Sequence, residues 1–104
     1  MDKINAIKLS RQYLKRVRDN KIKFSDAWLF GSYAKGLQQP NSDIDLAIVL
    51  DDSERKTFNT EVKLMIIRNG EETIIEPHAF TKEEFDKNIP MVNQIIKNGE
   101  RITI

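Results

Sequence analysis

The sequence predicts a small α/β domain, in the broad sense that includes α+β, with short strands alternating with helices. Residues 43–50, Asp-Ile-Asp-Leu-Ala-Ile-Val-Leu, are rich in aliphatic and β-branched side chains, which is typical of a buried strand. Residues 3–19 place apolar side chains at helical spacing with basic side chains between them, which predicts an amphipathic helix. Because the chain has 104 residues, we expect a single domain over residues 1–104.

Caps and breakers place the other predicted elements. Ser53 suits a helix N-cap, and Thr81 with Glu84 has the pattern of a capping box. Gly70 and Pro77 are expected to end a helix and a strand. In chain order these elements are a strand at 26–30, a helix at 32–38, a loop at 39–42, a helix at 54–68, a strand at 72–76, a helix from Thr81 that Pro90 interrupts and Gly99 closes, and a strand at 101–104.

The composition limits the classes of function. With a net charge of +1, the molecule as a whole does not attract polyanions, so any affinity for phosphate must come from a local site. The absence of cysteine excludes disulfides, zinc–thiolate sites and thiol nucleophiles. No signal peptide is recognised and no apolar run reaches the roughly 18 residues of a membrane span, so we expect a cytoplasmic protein without membrane contact. A chain this short buries a modest core, which favours a partner protein or a homo-oligomer.

Gly31-Ser32 follows the predicted strand at 26–30 and precedes a predicted helix. Glycine lets the backbone approach a ligand closely, and the amides of a helix start can bind phosphate. Lys35 is a further candidate for phosphate contact, or else a solvated lysine. Taken alone, the Gly-Ser pair is more often an ordinary strand-to-helix turn.

Asp43-Ile44-Asp45 opens the clearest predicted strand. Residues two apart on a strand point to the same face, so both carboxylates would stand together while Ile44 faces the core. Two adjacent carboxylates repel each other unless a cation lies between them, and Mg²⁺ prefers such oxygen ligands. The alternative is that Asp43 caps a turn and Asp45 is a solvated acid.

Together these segments resemble a known signature. The runs Leu29-Phe30-Gly31-Ser32-Tyr33-Ala34-Lys35-Gly36 and Ser42-Asp43-Ile44-Asp45-Leu46-Ala47-Ile48-Val49 are similar to the signature of the DNA-polymerase-β-like nucleotidyltransferase superfamily. The short chain resembles its minimal members, which often stand beside a HEPN-domain protein as a toxin–antitoxin pair. The resemblance implies a polymerase-β-like nucleotidyltransferase fold, with a small mixed β-sheet flanked by helices. It also implies nucleotide-binding residues Gly31, Ser32, Lys35 and Ser42, and catalytic metal ligands Asp43, Asp45 and Glu72.

The third acid is the open point of this resemblance. The family pattern, with an acid at the start of a strand and a proline about five residues later, maps onto Glu72. Glu76 is the alternative, since it has the same strand parity. Aspartate is commoner there, and Mg²⁺ tolerates a longer side chain poorly. His78, the sole histidine, follows in an Ile-Glu-Pro-His run similar to a segment of some minimal nucleotidyltransferases, although a surface or packing role is the more frequent one.

The activity implied by the resemblance is transfer of a nucleoside monophosphate, AMP from ATP, to a hydroxyl acceptor, with two Mg²⁺ ions and release of pyrophosphate. The acceptor implied is a side chain of the HEPN-domain partner. The alternatives are a weakly active or inactive nucleotide-binding antitoxin, or a structural interaction domain. No basic stripe with interleaved aromatic residues is present, which argues against a nucleic-acid partner.

Overall fold

The computed structural model describes residues 1–104 and builds them around a four-stranded mixed sheet. The strands are β1 (Phe24–Phe30), β2 (Ile44–Leu50), β3 (Ile75–Phe80) and β4 (Glu100–Arg101). They lie in the order β3-β2-β1-β4, with β1 antiparallel to β2 and β4, and β2 parallel to β3. The predicted small mixed sheet is confirmed.

Five helices and one 3₁₀ turn connect and flank the strands. None of the helices combines the length and the apolar character that a membrane crossing requires. The helices are α1 (Lys3–Asp19), α2 (Ser32–Lys35), α3 (Phe58–Ile66), α4 (Lys82–Asp86) and α5 (Pro90–Asn98), and the 3₁₀ turn is Gly70–Ile74.

The larger hydrophobic core lies on the face of the sheet that α1 covers. Alternate residues of β2 point into it, and all of these are fully or almost fully buried. Tyr13 of α1 donates a hydrogen bond from its hydroxyl to the carbonyl of Leu64, which ties α3 to α1. The β2 residues in this core are Ile44, Leu46, Ile48 and Leu50.

The opposite face of the sheet carries a smaller apolar cluster. Its four buried members come from β2, β3 and α5, and Trp28, Phe30 and Phe85 pack against it. Because this cluster is small, it leaves Asp45 at the beginning of β2 partly open to solvent, with 27% of its side chain exposed. The buried members are Ala47, Phe80, Val92 and Ile95.

Two predicted helices are shorter than expected. The helix predicted at 32–38 ends at Lys35, because Gly36 has the left-handed φ of 72° that terminates helices. The helix predicted at 54–68 begins at Phe58, and its N-cap is Thr57, whose side chain accepts from the amide of Thr60. Ser53 instead donates from its amide and hydroxyl to the Asp51 carboxylate.

The strand predicted at 72–76 is wrong in position. Residues 70–74 form the 3₁₀ turn, and β3 runs through Pro77, which was expected to end it. β3 lies at the edge of the sheet and pairs only with β2. An edge strand tolerates proline because one row of its amides needs no strand partner.

Glu72 is a fully buried acid that joins α1 to the 3₁₀ turn. Its carboxylate accepts from Arg16 Nε at 2.9 Å, from Gln12 Nε2 at 2.7 Å and from the amide of Asn69 at 3.1 Å. Burial raises the pKa of the Glu72 carboxyl, but these hydrogen bonds together outweigh burial and hold the pKa below its ordinary value. The carboxylate therefore stays ionised and serves the fold.

We expect Glu72→Gln to destabilise the protein by about 1–3 kcal/mol, because hydrogen bonds to a charged group are lost while Arg16 stays half-exposed and solvated. Urea unfolding measures this change in the free energy of unfolding. Glu71→Gln, at the exposed neighbouring position, is the matched control. Equal stability of the two variants would contradict a stabilising role for the Glu72 carboxylate.

The stability difference between the native protein and Glu72→Gln should depend on pH. The pKa is lowered on folding, so the stabilisation is complete above the ordinary value of 4.5 and is lost as the pH falls through the pKa of the folded state. Urea midpoints measured from pH 7 downward should therefore converge in acid. Midpoints that stay a constant distance apart would show that ionisation of Glu72 does not matter.

Candidate functional site

The register of three adjacent strands creates a row of side chains on the less covered face of the sheet. Asp45 of β2 pairs with Phe30 of β1 on one side and with Glu76 of β3 on the other. His78 lies two residues after Glu76 and therefore points to the same face. The site thus centres on Asp45, with one neighbour on each flanking strand.

Three side chains of this row approach one another closely. His78 Nε2 lies 3.1 Å from Asp45 Oδ1, and the potential ligand atoms of Asp45, Glu76 and His78 all lie within 4.8 Å of one another. The ring of Phe30 meets the His78 ring edge-on, with centroids 5.0 Å apart. Asp45 and His78 are about three-quarters buried, and Glu76 is exposed. The group therefore has one open side.

Gly31 lies against the other oxygen of the same carboxylate. Its φ of 72° and ψ of −150° belong to a region that only glycine adopts readily. A Cβ atom at this position would lie 2.3 Å from Asp45 Oδ2. The sequence predicted glycine here so that the backbone could approach a ligand. The structure adds a second reason, because any side chain at this position would collide with the Asp45 carboxylate.

Ser32 and Lys35 are the first and last residues of α2, which is a single turn. The first amides of any helix lack acceptors within it, so the amides beside Gly31 can face a phosphate. The dipole of so short a helix is weak, however, and contributes less than a longer helix would. Lys35 is exposed and remains a candidate for phosphate contact.

Ser42 and Asp43 precede β2. The Ser42 hydroxyl accepts from the amide of Gln39 at 2.8 Å, so it closes the loop that leads to the strand. Asp43 is exposed and lies outside the close group around Asp45. Both line a cleft of about 340 Å³, together with Tyr33 and Glu71 among others.

Glu72 does not join this group. Its buried carboxylate is bound by the half-exposed Arg16. The acid beside Asp45 is Glu76, the alternative, which pairs with Asp45 in the register of β2 and β3. Parity alone could not distinguish the two acids, since Glu72 and Glu76 are separated by four residues. His78 was an open candidate on sequence grounds, and the structure brings it to Asp45.

The donor set suits a divalent metal ion. Two carboxylates and an imidazole offer oxygen and nitrogen ligands. Adjacent ligand atoms in octahedral coordination, with bonds of about 2.1 Å, are about 3 Å apart. His78 Nε2 and Asp45 Oδ1 lie 3.1 Å apart, which is a hydrogen-bond distance and is also close to the spacing of two ligand atoms on a shared ion. Asp45, Glu76 and His78 therefore fit a metal ion.

A mixed sheet that sets carboxylates beside a glycine turn defines a candidate site for phosphate groups and divalent ions. The comparison with known families agrees with this class. Residues 12–104 match the family model described as polymerase beta, nucleotidyltransferase. The chain therefore belongs to the polymerase β nucleotidyltransferase family.

Two relatives extend this assignment. The chain is 42% identical over 53 residues to the protein adenylyltransferase MntA of Shewanella oneidensis, a match that covers 51% of this chain and 35% of MntA. It is 32% identical over 65 residues to MJ1379 of Methanocaldococcus jannaschii, a provisionally assigned protein adenylyltransferase, covering 62% of this chain and 65% of the relative. The chain thus matches only part of the length of both relatives.

Solved structures share the fold at low identity. A provisionally assigned nucleotidyltransferase from Sulfolobus solfataricus superposes with a TM-score of 0.68 at 18% identity, over 95% of this chain and 80% of that one. A toxin–antitoxin solved with AMP-PNP superposes with a TM-score of 0.62 at 23% identity, over 88% and 69%. These matches support the polymerase-β-like fold.

We expect Gly31→Ala to weaken divalent-metal binding by roughly tenfold or more, the range seen when a ligand's supporting contacts are lost. The new Cβ must displace the Asp45 carboxylate or shift the backbone, because it would lie 2.3 Å from Asp45 Oδ2. Titration calorimetry with Mn²⁺ measures the change in affinity.

Gly36→Ala is the matched control for this substitution. Gly36 has the same φ of 72°, but a Cβ atom there meets nothing within 4 Å. It should therefore lose stability through backbone strain, of about 1–2 kcal/mol, and keep its metal affinity. Equal loss of metal affinity in both variants would mean that the contact between Gly31 and Asp45 is unimportant.

Proposed function

We propose that the chain transfers AMP from ATP to a hydroxyl group of a partner protein and releases pyrophosphate. The observation that carries this proposal is the position of the Asp45 carboxylate, which lies between the Gly31 turn on one side and Glu76 with His78 on the other. A candidate phosphate-binding turn therefore lies directly against a candidate metal ligand. Membership of a nucleotidyltransferase family and the names of its adenylyltransferase relatives support the same reaction.

In this proposal, one set of residues binds the phosphates of the nucleotide and another set binds the metal ions. The backbone at Gly31 and Ser32 binds the terminal phosphates, with Lys35 as an added positive charge. Asp43, Asp45 and Glu76 would hold divalent ions. The family resemblance implies Mg²⁺, with two ions in the full complex. Bound metal ions would neutralise phosphate charge and activate the acceptor oxygen.

The transfer is a substitution at the α-phosphorus of ATP. The acceptor oxygen forms a bond to this phosphorus, and the bond to the oxygen that bridges to the β-phosphate breaks. Pyrophosphate leaves with the bonding electron pair, and the acceptor proton passes to the exposed carboxylate of Glu76. Positioning and charge neutralisation supply most of the catalysis in reactions of this kind.

The partner in this proposal is a HEPN-domain toxin that supplies a tyrosine hydroxyl, and the chain would act as its antitoxin in the cytoplasm, where ATP is available. The support is the likeness to MntA and to a toxin–antitoxin structure solved with AMP-PNP. The exposed position of Glu76 fits an acceptor that arrives on a separate molecule. Nothing in the proposal requires a nucleic acid.

The experiment combines the protein, Mg²⁺, ATP labelled at the α-phosphate and the product of the neighbouring gene. We expect label to appear on the partner, and Asp45→Asn or Glu76→Gln to reduce the rate about a hundredfold or more through loss of a metal ligand. Electrophoresis with autoradiography measures transfer, and mass spectrometry identifies the modified residue.

Glu72→Gln, assayed at a temperature where it is fully folded, is the control. It removes the other candidate acid and should retain most of the transfer rate, because Glu72 is bound to Arg16 and lies outside the group at Asp45. Loss of transfer in folded Glu72→Gln with retention in Glu76→Gln would reverse the assignment of the third acid. Nucleotide binding without transfer to any acceptor would instead favour a nucleotide-binding antitoxin without activity.

A further inference from the structure

We propose that His78 is a direct nitrogen ligand of the metal ion at Asp45, and that the site consequently prefers a transition-metal dication such as Mn²⁺ to Mg²⁺. The inference deepens the proposed function, on which the presence of a metal ion rests. It assigns to His78 a role that the Gly-Ser and Asp-x-Asp motifs do not contain.

The first support is geometric. The Nε2 atom of His78 lies 3.1 Å from Asp45 Oδ1, which is the distance of a hydrogen bond from the ring N–H to the carboxylate. In the other tautomer, with the proton on Nδ1, the Nε2 lone pair is free to bind a metal ion shared with Asp45. The separation of the two atoms is also close to the spacing of about 3 Å between neighbouring ligand atoms around an octahedral dication. Glu76 brings a second oxygen to within 4.8 Å of both atoms, so one ion could contact all three side chains after small rotations.

The second support is that the backbone and a neighbouring ring fix the imidazole. His78 pairs with Ala47 in the parallel register between β3 and β2, so its side chain must emerge beside Asp45. The edge-on contact with Phe30, at a ring angle of 63°, restricts rotation of the imidazole. A ligand held in advance loses less conformational freedom when it binds.

The third support comes from the chemistry of the donors. Mg²⁺ requires near-ideal octahedral geometry, prefers oxygen and retains water molecules. Imidazole nitrogen instead suits first-row transition metals, whose affinities for mixed nitrogen and oxygen sites rise from Mn²⁺ through Co²⁺. A site in which one of three protein donors is imidazole should therefore shift preference from Mg²⁺ toward Mn²⁺ and Co²⁺.

Pulsed electron paramagnetic resonance of the full chain with Mn²⁺ alone tests the ligand directly. We expect the ¹⁴N coupling of a directly bound imidazole in the native protein, and its loss in His78→Gln. Glutamine is the matched substitution because its amide can still donate a hydrogen bond to Asp45. Calorimetry should show Mn²⁺ affinity falling roughly tenfold or more in His78→Gln, with Mg²⁺ affinity changing far less.

Several results would overturn the inference. Mn²⁺ bound to the native protein without ¹⁴N coupling, or no Mn²⁺ binding at all, would exclude His78 as a ligand. An equal loss of Mn²⁺ and Mg²⁺ affinity in His78→Gln would show that His78 only positions Asp45. The measurement on native protein needs no variant, and urea unfolding checks that His78→Gln folds.

The inference and the proposed function can fail separately. AMP transfer with Mg²⁺ but no ¹⁴N coupling would overturn the role of His78 and leave the reaction intact. Conversely, ¹⁴N coupling without transfer to any acceptor would support the metal site and count against the enzymatic activity.

Discussion

The candidate site depends on the register in which β2 is held between its neighbours. Asp45 can meet Glu76 and His78 only because β2 pairs with β3 in one alignment, and it can meet Gly31 only because β1 ends beside it. The alternation of side chains makes this alignment strict, since a slip of one residue would turn Asp45 into the core. Burial of Ile44 and Leu46 on the opposite face opposes that slip. The hydrophobic core therefore positions the polar site.

The hydrogen bonds of Glu72 support the same pairing of β2 with β3 by fixing the turn that precedes β3. The 3₁₀ turn before β3 carries a capping box between Asn69 and Glu72, and Arg16 of α1 holds the same carboxylate. Because the turn is fixed to α1, β3 begins at Ile75, and Glu76 with His78 then faces Asp45. The buried Glu72 carboxylate thus helps to set which neighbouring acid lies beside Asp45.

Much of this arrangement could be predicted from the sequence, because its signals are local. The Gly-Ser turn and the apolar strand after Asp43 follow from the local pattern, and the mixed sheet follows from the family resemblance. The expected pairing of Asp43 with Asp45 is not seen, because β2 begins at Ile44 and Asp43 lies outside the close group. The choice between Glu72 and Glu76 could not be predicted from the local pattern, because it depends on Arg16, which lies 56 residues from Glu72 in the sequence. The strand end expected at Pro77 was wrong for a similar reason. A proline ends a strand inside a sheet but is tolerated in an edge strand, and the edge position of β3 is a property of the whole sheet.

The two faces of the sheet differ in how much of the core they carry and in whether they carry the candidate site. The face under α1 holds the large core, whereas the other face carries a small apolar cluster that stops short of Asp45. A larger second core would enclose the site and restrict it to small ligands. The small cluster leaves Glu76 exposed and His78 about one-quarter exposed. An acceptor carried on another protein could therefore reach the site without the movement of a lid, which is the geometry that the proposed protein modification requires.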